Sequence, residues 1–490
     1  MFVANKKIMQ DYDQMLLEIG YSIEELVDKA SDTAIKYCLN YNRIILFCGY
    51  GNNGADGLSL ALKLNQLDKE VLVIINQRHG SKAYEYYLNK IELENISIIE
   101  LNQGNIEEII HIMNNYDLLI DAIFGFGLNR PIDGLNKIIV QTINQNYIGT
   151  IISLDIPSGM QCDYFEIDHP MICGAKTITF SALKDAFLHP ESKMFTGEVF
   201  VEILDVESIY NEIHCPELIL GHQIKSLLKP KKYNGYKNQY GHPLLIVGSN
   251  NYVGAAILSS SATMHSGCGL VSVYSTSEVN RQVVQTQPEV ITILRQQTIS
   301  KTLLNHQVIL IGSGLGLNDD SKQMLQYLLL NYTGVLVIDG DAITILSKHL
   351  DWLLQTHAKI ILTPHLGEFK RLVGIIEIDN LAGQLQKFCA KYNLISMIKG
   401  PNTYISDGKK IYRNTSGNKA MAVAGMGDVL AGMVTSYVAQ GYLPFESAIL
   451  GVYIHGQCGD IIAKDNYVVL PSKLISQIPK LMQQIIEKTL

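Results

Sequence analysis

Short apolar runs alternate with helical patterns along the first part of the chain. Segments such as Leu58–Leu67 and Ile106–Met113 have the apolar spacing of helices. This alternation predicts a parallel sheet that is covered by helices on both faces. The predicted strands are Ile44–Cys48, Val71–Ile75, Ile96–Ile99, Leu118–Asp121, Thr150–Asp155, Lys176–Phe180 and Glu198–Ile203.

The periodicity weakens after Asp205, and a new alternating pattern begins at Pro243. We therefore predict a domain over 1–210, a linker over 211–228 and a second domain over 229–490, with the boundary near 206–225. Helices are expected near Gly427 and Phe445. The second set of predicted strands is Pro243–Val247, Val271–Tyr274, Val308–Ile311, Val335–Ile338, Lys359–Leu362 and Ile395–Ile398.

Composition narrows the class of protein. Hydrophobic residues make up 47% of the 490 and charged residues 18%, which argues for a large core and against disorder. The net charge of −8 comes without a basic patch, so we expect no nucleic-acid partner. The eight cysteines are dispersed and indicate buried thiols rather than disulfides or a zinc site. We find no signal core and no membrane helix, and therefore expect a cytoplasmic protein. The low charge and apolar content lead us to expect a homo-oligomer.

The first motif lies between a predicted strand and a predicted helix. It reads Gly49-Tyr50-Gly51-Asn52-Asn53-Gly54-Ala55-Asp56-Gly57. Glycines permit a tight turn and close approach by a ligand, and the following helix N-terminus suits phosphate. A plain strand–helix turn is the structural alternative, but turns rarely need two amides and a carboxylate together.

Two further polar clusters follow buried strands. Asp121 precedes Ala122–Leu128 with its two glycines, and Asp155 precedes Ile156-Pro157-Ser158-Gly159. A carboxylate at such a position must be solvated, paired or bound to something. The carboxyl ends of parallel strands meet at one sheet edge, so the three clusters predict one shared site.

These three stretches resemble the signature motifs of the NAD(P)H-hydrate epimerases, over roughly residues 5–205. The helix around Met15–Ala30 and the stretch Thr177–Lys184 are also similar to that family. The resemblance implies a Rossmann-like three-layer sandwich, with Asp155 in the reaction centre. It implies a potassium ion held by Asn53, Asp121 and Ser158. The implied substrate contacts are Asn52, Asn53, Gly54, Ala55, Asp56, Gly125, Phe126, Gly127, Leu128, Asn129, Arg130, Pro131 and Asp155. The chain departs from the usual family pattern at Tyr50, Ala55 and Phe126.

The clearest feature of the second domain is Gly425-Met426-Gly427-Asp428, which opens a helix of small residues. Its amide groups can form an anion hole, and Asp428 is placed to take a proton from a hydroxyl that attacks phosphorus. The structural alternative is an acidic residue that stabilises the helix dipole. Lys399 stands at a strand–turn junction where it could meet phosphate.

The second half resembles the ADP/ATP-dependent NAD(P)H-hydrate dehydratases, a branch of the ribokinase-like α/β fold. The matching stretches are VGSNNYVGAAIL, GSGLG, IDGDAI, LTPHLGE, KGPNT and GNKAMAVAGMGDVLAG, over roughly residues 230–480. The resemblance implies catalysis by Asp428, with substrate contacts at Ala255, Gly316, His365 and Asp428. The implied nucleotide contacts are Lys399, Gly400, Pro401, Asn402, Thr403 and Gly427. Ser313 stands where the family usually has proline, which softens that loop.

Together these resemblances imply a bifunctional enzyme that repairs hydrated NADH and NADPH. One domain would epimerise the (6R) and (6S) forms of NADHX and NADPHX. The other would dehydrate the (6S) form while ADP becomes AMP and phosphate. By analogy with other phosphoryl transfers, we expect magnesium in the second domain. Two alternatives stay open: a small-molecule kinase, which shares the fold, and a binding or scaffold role for the first domain.

Overall fold

Apolar residues on alternate sides of each strand set the architecture of both halves. The computed structural model describes residues 1–204, 208–296 and 301–487, and divides the chain into two units, Met1–Cys215 and Pro216–Leu490. Across these described ranges, no helix is both long and apolar enough to cross a membrane. All eight cysteines are free thiols, and only Cys173 among them is exposed.

Unit 1 is built on a parallel seven-stranded sheet with the order β4-β3-β2-β5-β6-β7-β9. A separate parallel pair joins β1 to β8. Its strands are β1 Val3–Ala4, β2 Arg43–Cys48, β3 Glu70–Ile75, β4 Ser97–Glu100, β5 Leu118–Ala122, β6 Thr150–Leu154, β7 Lys176–Phe180, β8 Leu183–Lys184 and β9 Glu198–Glu202. Its helices are α1 Lys6–Glu18, α2 Ile23–Ala34, α3 Asn52–Asn65, α4 Lys82–Leu93, α5 Ile106–Met113, α6 Gly134–Asn146, α7 Lys193–Thr196 and α8 Ser208–Glu212.

Strand β2 shows why this sheet lies inside the unit. Ile44 and Leu46 pack into the core beneath α2, α3 and α4, whereas Ile45 and Phe47 pack into the core beneath α5 and α6. A strand that is buried on both faces reads as one continuous apolar run. The three-layer α/β sandwich predicted for this half is therefore confirmed.

Unit 2 contains a ten-stranded sheet with the order β10-β19-β18-β17-β16-β15-β14-β11-β12-β13. Only the pairs β17–β18 and β18–β19 are antiparallel. Its strands are β10 Glu217–Leu218, β11 Leu244–Ile246, β12 Ser272–Ser275, β13 Ile291–Leu294, β14 Val308–Ile311, β15 Val335–Ile338, β16 Lys359–Leu362, β17 Ile395–Ile398, β18 Thr403–Ser406 and β19 Ile411–Asn414. Its helices are α9 Gly221–Leu227, α10 Val253–His265, α11 Ser277–Thr286, α12 Asp319–Asn331, α13 Gly340–Leu346, α14 Leu366–Val373, α15 Leu381–Tyr392, α16 Met426–Ala439, α17 Pro444–Ala463 and α18 Pro471–Glu487.

This sheet also has a core on each face. Leu245 and Val247 pack with α10, α16 and α17, whereas Leu244 and Ile246 pack with α12, α13 and α15. The α/β class predicted for the second half is therefore confirmed, with helices on both sides of a mostly parallel sheet.

Several boundaries differ from the sequence predictions. Helix α3 begins at Asn52 rather than Leu58, so the polar motif forms its first turn. Within the predicted linker over 211–228, the structure has α9 and the short strand β10, which pairs with β19. The division between the two units falls after Cys215. Residues 205–207, where the predicted boundary begins, lie outside the described residues.

Candidate active sites

The first site is a cavity of about 1020 Å³ at the carboxyl edge of the unit 1 sheet. The three polar clusters predicted to converge do meet at this edge. The predicted contacts that line the cavity are Asn52, Asn53, Asp56, Gly125, Phe126, Gly127, Leu128, Asn129, Arg130, Pro131 and Asp155. Gly54 and Ala55 are buried residues of α3 outside that lining. A Cβ on Gly54 would come within 1.7 Å of the Gly49 carbonyl oxygen, which explains the glycine.

Helix α3 presents its N-terminus to this cavity. Its N-cap residue, Gly51, supplies no side-chain cap to the first-turn amides, and Asn52 and Asn53 follow at the cavity wall. Uncapped N–H groups and the positive end of the helix dipole favour an anion such as phosphate. Both amide atoms of Asn53 are buried without a hydrogen-bond partner among the described residues. Such an orphaned amide needs a ligand or an ion to satisfy it.

Asp155 follows β6 with a backbone φ of +62°, in the left-handed region that non-glycine residues rarely occupy. One carboxylate oxygen accepts the amide of Phe126 at 2.8 Å, and the other lies 2.8 Å from Nζ of Lys184. Lys184 is fully buried and also donates to Oγ1 of Thr179 and the carbonyl of Phe180. These contacts fix the position of the Asp155 carboxylate at the cavity wall.

Asp121 lies beneath the cavity and is fully buried. Its carboxylate accepts hydrogen bonds from the amide and hydroxyl of Ser158 and from the hydroxyl of Ser153. Burial raises the pKa of Asp121, and these hydrogen bonds offset that effect only in part. A nearby cation would favour the charged form. The residues implied to hold potassium therefore include a carboxylate whose burial is offset only in part by hydrogen bonds, and the orphaned amide of Asn53.

Unit 2 places the aspartate that is predicted to be catalytic on a helix instead of after a strand. Gly425 caps α16 with φ of +92°, which glycine adopts readily, and it provides no side-chain cap. Asp428 lies in the first turn. Burial, followed by the charge of Asp339, raises the pKa of Asp428 to about 7, although Lys399 and Ser313 act to lower it.

Lys399 lies directly against the start of α16. A Cβ on Gly427 would come within 3.1 Å of its Nζ. That Nζ donates to Oδ1 of Asp339 at 3.0 Å, and Asp339 also accepts from the hydroxyls of Thr363 and Ser313. Burial would lower the pKa of Lys399, but Asp339 and Glu368 raise it above its ordinary value. The lysine is therefore positively charged beside the start of α16.

The other predicted residues of this site lie on neighbouring loops. His365 caps α14, because its Nδ1 accepts hydrogen bonds from the amides of Gly367 and Glu368. An isolated parallel β-bridge pairs the backbone of His365 with that of Lys399. Gly314 packs closely on Ala255, and Gly316 donates its amide to Asp341 at 2.8 Å. The remaining predicted nucleotide contacts, Gly400, Pro401 and Asn402, are exposed at the turn before Thr403, which begins β18.

Sequence reasoning did not select Asp13, Lys184, Asp339 and Asp341 as site residues. Asp339 follows the apolar strand β15, which is the same signal that identified Asp121 and Asp155. Asp13 carries no such signal, because it lies inside α1 and reaches the cavity only through the packing of that helix. Lys184 follows an apolar stretch too, but its pairing with Asp155 depends on the fold.

Comparison with known proteins matches both halves. The family described as "NAD(P)H-hydrate dehydratase" matches residues 243–480, and the "YjeF-related protein N-terminus" family matches residues 15–186. The Bifunctional NAD(P)H-hydrate repair enzyme Nnr of Dictyoglomus turgidum is 30% identical over 475 residues, covering 91% of this chain and 90% of the relative. The enzyme of the same name from Coxiella burnetii is 29% identical over 482 residues and covers 94% of each chain.

The second half also has relatives of its own. The ADP-dependent (S)-NAD(P)H-hydrate dehydratase of Enterococcus faecalis is 34% identical over 266 residues, covering 53% of this chain and 91% of the relative. A solved structure of a ribokinase-like superfamily protein from E. faecalis matches with a TM-score of 0.51 and 30% identity, covering 56% of this chain and 97% of that one. The predicted ribokinase-like fold is therefore confirmed. From the near full-length match and the two family matches, the chain belongs to the family of bifunctional NAD(P)H-hydrate repair enzymes.

Proposed function

We propose that unit 1 interconverts the two epimers of NADHX and NADPHX, and that unit 2 dehydrates the (6S) epimer with ADP. The observation that carries this proposal is that each unit places one aspartate, Asp155 or Asp428, near an uncapped helix N-terminus. Hydration of the nicotinamide ring gives two epimers, and a stereospecific dehydratase would repair only one. An epimerase on the same chain supplies that dehydratase with the other.

In unit 1, Asp155 takes the proton from the hydroxyl at the hydrated carbon. The carbon–nitrogen bond of the ring then opens to a carbonyl, which closes again on its other face. The amides at the start of α3 bind phosphate, and Phe126 and Lys184 hold the carboxylate of Asp155 in place. A carboxylate held in this way serves as a general base.

In unit 2, Asp428 takes the hydroxyl proton and the oxygen attacks the terminal phosphorus of ADP, with AMP as the leaving group. The phosphate then leaves the carbon with its bonding electrons, while the neighbouring ring carbon loses a proton and the double bond returns. The amides near Gly425–Gly427 and the charge of Lys399 stabilise the negative charge on the phosphoryl group. The choice of ADP rests on the E. faecalis relative.

Two ions belong to the proposal. Potassium would be held by Asn53, Asp121 and Ser158, and would neutralise the buried carboxylate of Asp121; the set fits a hard cation because its ligands are oxygens. Within the described ranges, no three His, Cys, Asp or Glu side chains gather as a metal site. Magnesium would therefore be held largely by the phosphates of ADP, whose charge it neutralises.

The central test uses an equal mixture of both NADHX epimers with ADP, magnesium and potassium, in an assay that follows NADH absorbance. We expect full conversion by the native protein, conversion of the (6S) half alone by Asp155→Asn, and no conversion by Asp428→Asn. The matched controls are Asp11→Asn and Asp351→Asn, which change exposed carboxylates in the same units. Formation of a stable phosphorylated alcohol without NADH would favour the kinase alternative instead.

A second test addresses potassium. The thermal midpoint of unit 1 should rise when potassium replaces a large organic cation, and Asn53→Ala should abolish that rise. Dehydration of the pure (6S) epimer should be unchanged in the same variant, because Asn53 belongs to the other unit. An equal response of the native protein and Asn53→Ala to potassium would contradict the assignment.

A further inference from the structure

Four carboxyl groups line the unit 1 cavity, and three of them come from α1, α3 and the end of β6. Asp13 comes from α1, Asp56 from α3, and Asp155 from the end of β6. Neither the predicted motifs nor the proposed reaction uses Asp13. Carboxyl groups that share one partly enclosed cavity interact strongly, so their protonation states must be considered together.

Lys184 forms an ion pair with only one of these three carboxyl groups among the described contacts. Nζ of Lys184 lies 2.8 Å from Asp155, so this carboxylate has a buried counter-charge. Burial and the charge of Asp155 raise the pKa of Asp13 to about 7, although Lys184 acts to lower it. Burial, followed by the charges of Asp155 and Asp13, raises the pKa of Asp56 well above its ordinary value. A carboxylate paired with a lysine and a neighbouring carboxyl group with a raised pKa are suited to act as base and acid, respectively.

The cavity also contains an independent sign of a ligand. Asn53 is 8% exposed and lines the wall, with both amide atoms lacking a partner among the described residues. The apolar side of the same cavity comes from α1 and α2, through Met9, Leu17, Ile23 and Leu26. A ring seated against these helices would have Asp13 within the same enclosure as Asp155. The other ionisable groups that line it are Tyr50, Arg130 and Asp133.

Epimerisation needs a second proton carrier. When Asp155 removes the hydroxyl proton, electrons from the oxygen form the carbonyl, and the pair of the breaking carbon–nitrogen bond moves to the ring nitrogen. That nitrogen must gain a proton, and it must lose it again when the ring closes on the other face. No electron is gained or lost overall, so the step requires only a proton donor that can be restored.

We infer that Asp13 is a second catalytic residue of unit 1, which delivers a proton to the ring nitrogen as the ring opens and takes it back as the ring closes. This inference rests on the epimerisation proposed for unit 1. Asp56 on α3 lines the same cavity, and burial together with the charges of Asp155 and Asp13 raises its pKa well above the ordinary value. The pairing gives one cavity both an acid and a base, each returned to its starting state after every turnover.

The test measures epimerisation of the pure (6R) epimer by chromatography, across pH, in the full-length chain. Asp13→Asn should lower kcat/KM by about 10²–10⁴-fold, the usual contribution of a general acid–base group. The native profile should fall above about pH 7, as Asp13 loses its proton. That alkaline fall should disappear in Asp13→Asn, and Asp13→Glu should recover part of the rate.

Asp11→Asn is the matched control, since Asp11 lies on the same helix but its exposed carboxylate pairs with Lys7. This variant should keep the native rate and profile. Dehydration of the (6S) epimer by unit 2 and the unfolding transition of unit 1 show that the chain is intact. If Asp13→Asn lost the unfolding transition of unit 1, the epimerisation rate of Asp13→Ser would test the inference in its place.

Different results would overturn different claims. A native rate and pH profile in Asp13→Asn would overturn the inference alone, provided that Asp155→Asn is inactive. Loss of the alkaline fall in Asp56→Asn but not in Asp13→Asn would assign the role to Asp56 instead. Full epimerisation by Asp155→Asn would overturn the proposed function of unit 1 itself.

Discussion

The two sites use the same residue types but connect them differently. In unit 1 the buried lysine, Lys184, pairs directly with the reactive Asp155. In unit 2 the half-buried Lys399 pairs with Asp339, and the proposed base, Asp428, has a pKa raised to about 7. The position of one ammonium group thus decides whether the proposed base has a direct ion pair with a lysine.

This difference suits the chemistry proposed for each unit. A base that only shuttles a proton can stand in a direct ion pair, as Asp155 does with Lys184. A base that stands next to ADP must avoid adding a fixed negative charge to a site that binds phosphates. A carboxyl group that titrates near neutral pH meets that need, while Lys399 remains available to the phosphoryl oxygens.

The largest effect should come from removing the direct pair in unit 1. Lys184→Met leaves Asp155 buried without its counter-charge, so we expect the free energy of unfolding of unit 1 to fall by about 3–5 kcal/mol. Denaturant unfolding measures this change. The double variant Lys184→Met with Asp155→Asn should regain much of the loss, because it removes the stranded charge. Equal stabilities of the single and double variants would show that the pair is not what stabilises the site.

The next effect concerns the pH dependence of dehydration. The pKa of Asp428 is raised to about 7, and a general base must be deprotonated, so activity is lost as pH falls through that value. Below it, kcat/KM for the (6S) epimer should drop roughly tenfold per pH unit. Initial rates across pH, with magnesium and ADP in excess, test this expectation. A profile that is flat between pH values of about 5 and 8 would remove the contrast with Asp155.

Lys399→Met should shift the pH profile of dehydration. Lys399 acts to lower the pKa of Asp428, so its loss should shift the acidic limb upward, by on the order of one pH unit. Lys409→Met, at an exposed hairpin position, should leave the profile unchanged. A lower rate without any shift of the limb would mean that Lys399 contacts the nucleotide but does not influence Asp428.

The smallest effect should come from Ser313, which stands where the family usually has proline. Its hydroxyl donates to Asp339 at 2.9 Å and acts to lower the pKa of Asp428. A single hydrogen bond contributes about 1 kcal/mol, so Ser313→Ala should shift the acidic limb upward by less than one pH unit. The same pH series measures this shift, and an acidic shift would contradict the assigned contact.

Much of the fold could be predicted from the sequence, because strands buried on both faces leave continuous apolar runs. β2, β5 and β15 were predicted to within one residue at each end. The strands β18 and β19 were missed, since a short hairpin with buried Arg413 and Asn414 lacks that pattern. The polar start of α3 was missed for a related reason: Asn52 and Asn53 read as loop residues, although they form the first helical turn.

The sequence by itself determined the two α/β halves, the family resemblance and the convergence of strand-end aspartates. These features can be predicted from short stretches, since a run of apolar residues indicates a buried strand and a glycine-rich segment indicates a tight turn. Only the tertiary structure decided that Lys184 meets Asp155, that Lys399 meets Asp339, and that Asp13 enters the cavity from α1. These partners are distant in sequence, and their protonation depends on burial and on neighbouring charges, which exist only once the chain has folded.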